Sequence, residues 1–308
     1  MLDPTSGYGL IEWVQSFSGP FLDTVFTNAT RLGNEPFYWV FLPLLYWLGD
    51  RRKVVPVLMV LFVSFFLNDF AKHFLDLPRP SPERVRVLFQ ESGTGPGFPS
   101  GHAQHALVLW GALAAEVRRW WMTLLAVVLI AAISLSRIYL GLHFPIDVIG
   151  GLALGALILI GYGVFRRIAR NLHPSPLRDA LLAVALPLVL LALPSLFGVG
   201  RMAMADMVAG FLIGAGIGYL AAREGGMLES RSPGWRAPAK LLLGFAVVFG
   251  VMEGSGMIAP GTPVATMARY AVIGFTALWV VPWLARLAGL EGRGQCCGGA
   301  YIGGAGRR

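Results

Sequence analysis

Three short polar clusters interrupt an otherwise apolar chain, and each carries side chains that react or hold charge. The first is Lys72 with Arg79-Pro80, the second Pro99-Ser100-Gly101-His102, and the third Ser136-Arg137 with His143 and Asp147. Lys72, Arg79 and Arg137 have no matching number of acids beside them, and cations without counter-ions call for an anion. A phosphate fits, because arginine forks bind its oxygens bidentately and lysine acts as a point charge. Ser100-Gly101-His102 reads as a helix start, where free backbone N–H groups and the positive dipole end add donors. His143 and Asp147 stand four residues apart, so a helix starting near His143 sets them on one face. Asp147 then accepts from one imidazole nitrogen and fixes the tautomer, which leaves the other nitrogen as a nucleophile. His102, on another helix end, protonates a leaving oxygen. Nucleophile, orienting carboxylate, general acid and cationic clamp amount to a phosphomonoesterase kit. It needs no metal and no other cofactor, because the cations stabilise the developing charge.

The elements that must hold these clusters are membrane helices. The chain has 308 residues, of which 56% are hydrophobic and 14% charged. A soluble domain carries about 25% charged residues, and a disordered chain needs low hydrophobicity. Apolar runs recur at Phe37–Leu48, Val54–Phe70, Ala103–Val117, Trp120–Leu135, Ile146–Phe165, Ala180–Val199, Met204–Ala222, Leu241–Met257 and Val264–Leu287. They are continuous and not alternating, which favours helices over a barrel. The expected fold is an all-α polytopic transmembrane bundle of about nine spans. A full span takes roughly 20 residues, and several runs, the first above all, fall short of that.

The net charge of +8 is explained by topology and does not point to nucleic acid. Arg51, Arg52, Lys53, Arg118, Arg119, Arg166, Arg167 and Arg170 fall on one side, with Arg178, Arg223, Arg236, Lys240 and Arg286. The basic bias of short loops marks that side as cytoplasmic. All three polar clusters then lie on the extracytoplasmic side of a multi-pass protein of a plasma or inner membrane. The start, MLDPTSGYGLIEWVQ, has neither a basic nor a continuous apolar signal region, so no cleavable signal peptide is expected.

Residues 1–34 read as an amphipathic interfacial segment, 35–178 as the catalytic core, 179–290 as additional transmembrane helices and 291–308 as a flexible cytoplasmic tail with Cys296-Cys297. The additional helices suit packing, a substrate groove or a homo-oligomer contact. In the loop at 71–99, Val85, Val87, Leu88 and Phe89 offer an apolar lip to a lipid chain. His105 lies one turn beyond His102, Ser136 stands ready to hold phosphate, and Glu253 and Arg269 are expected to form a buried pair.

The stretches KHFLDLPRP, PSGH and SRIYLGLHFPID together resemble the three-part signature of the type 2 phosphatidic acid phosphatase superfamily, over roughly residues 37–165. The resemblance implies a haloperoxidase-like catalytic core and a covalent phosphohistidine at His143, with Asp147 as its partner and His102 as general acid. It implies phosphate ligation by Lys72, Arg79, Ser100, Gly101 and Arg137, and hydrolysis without metal. A lipid phosphate would be the substrate, a monoester or a diphosphate, held among membrane lipids. PRPSPERVRVLF, GFPSGHA and SRIYLGLH are similar to the sphingosine-1-phosphate phosphatase branch. Undecaprenyl diphosphate hydrolysis, transport of a lipid or phosphate, and haloperoxidase-like chemistry stay open as alternatives on the same anion site.

Overall fold

The structure, a computed structural model, describes residues 7–172, 175–228, 234–258 and 261–292. The expected tail beyond 292, with Cys296 and Cys297, lies outside them. All regular structure among the described residues is helical. The helices are α1 (Tyr8–Gln15), α2 (Pro20–Arg31), α3 (Glu35–Leu48), α4 (Arg51–Leu75), α5 (Gly101–Val117), α6 (Trp120–Tyr139) and α7 (Pro145–Asn171). They continue with α8 (Pro176–Leu196), α9 (Ala203–Glu224), α10 (Ala237–Ile258), α11 (Pro263–Phe275) and α12 (Val281–Leu287), the last two joined by a π turn at Thr276–Val280.

Every expected apolar run forms a helix, but length and composition support seven membrane spans among the described residues, not nine. The shortfall lies in α3, with 14 residues, and α5, with 17, against the roughly 20 that a crossing needs. Large apolar side chains on α6, α7 and α8 face outward, among them Leu124, Val127, Ile149, Leu157, Ile160, Leu181 and Val189. Such surface is stable against lipid, so this is a multi-pass membrane protein.

Local chemistry sets the helix ends that matter to the site. Asp50 opens α4 by accepting from the Arg52 N–H at 3.1 Å, and α4 closes at Asp76 in a left-handed conformation. Helix α5 starts at the small Ser100-Gly101 pair. Gly151 of α7 lies so close that a Cβ there would sit 2.4 Å from the Ser100 carbonyl oxygen, and this glycine lets α7 pass against the α5 start. A satisfied polar network joins α4 to α5. Asn68 donates to Gln104 Oε1 at 2.8 Å, and Gln104 donates to Ser64 O and Oγ, each at 3.0 Å. Buried polar groups with all partners present fix one arrangement of two helices.

The expected Glu253–Arg269 pair does not form. Arg269 donates to the Met252 carbonyl at 2.8 Å, and Glu253 is exposed. The apolar lip also turns inward: Val85 packs with Tyr8 and Ile11, and Val87 and Leu88 pack against Tyr139, Leu140 and Leu142. Helices α1 and α2 pack over part of these side chains; Val87, Leu88 and Phe89 stay half-buried, and Leu88 and Phe89 line a cleft beside Asp23, Thr27 and Arg31 of α2.

Candidate active site

The fold gathers the three sequence clusters at one end of α4, α5, α6 and α7. His143 lies just before α7, and Asp147 is in its first turn. Asp147 Oδ2 accepts from the Phe144 N–H at 2.9 Å and lies 3.3 Å from His143 Nδ1. The carboxylate thus caps its own helix and orients the ring. With Nδ1 donating to Asp147, His143 Nε2 carries the lone pair, and Arg79 Nη1 points at it from 2.9 Å. His143 is 1% exposed. Burial holds its pKa well below the ordinary value, and the nearby Arg137, Arg79 and Lys72 push it the same way. The imidazole is therefore neutral and available as a base or nucleophile.

Arg79 uses every N–H it has. Nε donates to Gly95 O at 2.8 Å, Nη1 to Leu142 O at 2.8 Å and to His143, and Nη2 to Thr94 O at 3.0 Å and Pro96 O at 3.2 Å. Burial lowers its pKa, against the pull of Asp147. Lys72, in the last turn of α4, donates to the same Pro96 carbonyl. The Gly93–Gly97 loop therefore presents its carbonyl oxygens to two of the three cations that the sequence assigned to an anion.

Arg137, fully buried, forms a second group. Its Nη1 donates to Thr30 Oγ1 at 2.6 Å and Ser92 Oγ at 2.9 Å, and its Nη2 to Ser92 O at 2.6 Å. Its Nε has no partner among the described residues. Ser92 Oγ also donates to Asn34 Oδ1 at 2.9 Å and lies 3.2 Å from His102 Nε2, while Asn34 Oδ1 is 2.7 Å from that nitrogen. An oxygen acceptor at this distance places the proton of His102 on Nε2. Gly33 backs the ring: a Cβ there would stand 2.5 Å from His102 Cδ2.

Two expectations at the α5 start change. The Ser100 N–H is spent on Asp147 O at 2.9 Å, so the free backbone donors of the first turn begin at Gly101. The Ser100 hydroxyl is buried without a partner among the described residues. Ser136 bonds back to Ile133 O at 2.6 Å and does not reach the site. His105 stands 3.0 Å from Ser64 Oγ and edge-on to Phe65. Thr30, Asn34 and Ser92 went unseen in the sequence. They lie on a short helix, a turn and a loop whose composition carries no signature of what they hold.

The fold and the site define a multi-pass membrane protein with a buried His–Asp pair facing three cations. Residues 53–171 match the PAP2 superfamily, and residues 207–293 match the PAP2 superfamily phosphatase, transmembrane extension. The chain is 31% identical over 168 residues to lipid phosphate phosphatase delta of Arabidopsis thaliana, an overlap of 50% of this chain and 40% of that one. It is 32% identical over 149 residues to a dihydrosphingosine 1-phosphate phosphatase of Saccharomyces cerevisiae, covering 45% of this chain and 37% of the relative. It is 31% identical over 155 residues to phosphatidylglycerophosphatase B of Bacillus subtilis, covering 45% and 72%. The chain belongs to the PAP2 superfamily. It spans about two fifths of the length of the plant and yeast relatives.

Proposed function

We propose that this chain hydrolyses a lipid phosphate, without a metal, through a phosphohistidine on His143, at a site open to the extracytoplasmic side. The observation that carries the reading is His143, with Nδ1 held by Asp147 and its lone pair on Nε2 beside Arg79. Nε2 attacks phosphorus in line, an N–P bond forms and the bond to the leaving oxygen breaks. His102, carrying a proton on both ring nitrogens once the phosphate is bound, gives one to that oxygen and is left neutral. Water then attacks phosphorus, loses a proton to His102, and the N–P bond breaks to release inorganic phosphate. Lys72, Arg79 and Arg137 stabilise the charge on the equatorial oxygens, joined by the Gly101 N–H, while the free Ser100 hydroxyl supplies one more donor. Several relatives are named for acting on lipid phosphates, which supports a substrate of that class.

The test is phosphate release by the purified full chain with EDTA. Dihydrosphingosine 1-phosphate, phosphatidic acid, phosphatidylglycerol phosphate and undecaprenyl diphosphate are offered in turn. His143→Ala is expected to abolish turnover. Asp147→Asn keeps the cap on Phe144 but loses the anion that fixes the ring, so its kcat is expected to fall by about 10²–10⁴-fold, as in other His–Asp pairs. An acid-labile phosphoenzyme should form in the wild type and not in His143→Ala. Undiminished turnover in His143→Ala would sink the mechanism.

A further inference from the structure

A cavity of about 490 Å³ runs from the active site into the C-terminal helices. It begins at Gly101, His102 and His105 and ends against Tyr46, Trp47 and Leu278. Its walls include Phe62 and Phe65 of α4, Met207 and Phe211 of α9 and Val248 of α10. The floor is tied on both sides. Tyr46 OH donates to Leu278 O at 2.8 Å and Trp47 Nε1 to Ala277 O at 2.9 Å. Both carbonyls belong to the π turn, where the backbone ladder is interrupted and carbonyls are left for other donors. The catalytic helices and the extension thus share one preformed pocket.

Three features say what it holds. First, it opens on His102, the group assigned to protonate the leaving oxygen. In-line attack by His143 sends the leaving group away from His143, so the body of the substrate lies on the His102 side. Second, the pocket follows α3 from Glu35 to Trp47. At a rise of about 1.5 Å per residue that is roughly 18 Å, a little over half of a bilayer core of about 30 Å. This is the depth of one chain in one leaflet. Third, the deep walls formed by Leu42, Phe62, Phe65, Phe211 and Leu278 are apolar, the lining that a hydrocarbon chain takes.

We propose that α9, α10 and α11 complete a pocket for a single hydrocarbon chain, the one attached to the leaving oxygen of a single-chain lipid monophosphate, and so set chain-length preference. The proposal rests on the phosphatase reading above.

The test uses butyl, octyl, dodecyl and hexadecyl phosphate with the full chain in nanodiscs. Wild-type kcat/KM is expected to rise at least a hundredfold from butyl to hexadecyl. Met207→Trp and Val248→Phe fill the pocket away from the catalytic groups. Each is expected to lower kcat/KM for hexadecyl phosphate at least tenfold, through KM, and to leave butyl phosphate within twofold. An unchanged chain-length profile, or equal loss on both substrates, overturns the pocket. A second arm needs no turnover. In a His143→Ala, Cys296→Ser, Cys297→Ser background, maleimide labelling of the Met207→Cys variant should slow at least fivefold with hexadecyl phosphate but not with butyl phosphate. Equal protection by a two-chain lipid without phosphate, such as diacylglycerol, would make this a site for bulk lipid and overturn the proposal. Protection by hexadecyl phosphate in a protein whose wild type cleaves none of the four esters would sink the phosphatase reading and leave the pocket standing.

Discussion

His143 is asked to stay neutral while lying among three cations, and those cations help to keep it so. Burial is the first cause of its lowered pKa, and Arg137, Arg79 and Lys72 add to it. A depressed imidazole pKa means that the neutral form persists below the ordinary value of about 6.5 and is lost only as pH falls through the lower value. The substrate phosphate has its own second ionisation near pH 6, so a rate profile mixes the two. Histidine-labelled protein without substrate separates them. NMR is expected to show His143 titrating below a free imidazole, and Arg79→Ala to move that titration upward. A wild-type His143 that titrates like a free imidazole would contradict this. The same geometry requires Arg79 to move when substrate binds. A lone pair that accepts from Nη1 at 2.9 Å cannot attack phosphorus, so the guanidinium must exchange His143 and loop carbonyls for phosphate oxygens.

The elements explain which parts of the site were legible. Lys72, Arg79, His102, Arg137, His143 and Asp147 stand out because ionisable groups in an apolar chain are costly and few. Their spacing also gave the helix starts of α5 and α7. What holds Arg137 and His102 was not legible. Thr30 reaches Arg137 across 107 residues of sequence and Asn34 reaches His102 across 68, and neutral side chains on amphipathic segments carry no such marker. The N-terminal segment was read as interfacial; α1, α2 and the turn between them leave Trp13, Phe17 and Phe21 exposed, while Thr30 on α2 and Asn34 in the turn after it supply acceptors to Arg137 and His102. Asn34→Ala removes the acceptor that aims the His102 proton, so kcat is expected to fall about tenfold with KM little changed. Thr30→Val leaves a buried guanidinium N–H without its partner. That costs about 1–3 kcal/mol and is expected to raise KM for phosphate esters at least fivefold. Steady-state kinetics on folded protein checks both, and wild-type constants in either variant would remove the N-terminal helices from the site.

At the scale of the whole molecule, one device packs the C-terminal helices on one another and a second ties them to the catalytic ones. The first is close packing of α9 on α11. A Cβ at Gly210 would sit 2.1 Å from Met267 O, and one at Gly214 1.8 Å from Ala271 O. Small residues four apart allow such contact between membrane helices, and the Gly210, Gly214, Gly218 pattern was open to reading in the sequence. The second device was not. Arg51 and Lys240 looked like loop cations that set topology, yet both are buried on Glu291. Arg51 also donates to Met227 O and Lys240 to Trp47 O. Arg51 and Glu291 are 240 residues apart, so only the folded chain brings them together. Glu291→Gln would leave two buried cations with no carboxylate, and breaking such a set by removing one partner costs about 3–5 kcal/mol. Arg51 begins α4, whose far end carries Lys72, so the loss loosens the helix that carries part of the anion site. Thermal unfolding in detergent is expected to shift down by several degrees or more in Glu291→Gln, while the folded fraction keeps its kcat because no group at His143 has changed. Replacing all three with apolar residues, Arg51→Met, Lys240→Met and Glu291→Leu, is expected to recover most of the lost stability. If Glu291→Gln melts with the wild type, the cluster does not hold the two halves together and the load falls on the packing of α4 against α9, where Phe62 stacks on Phe211 at 3.9 Å.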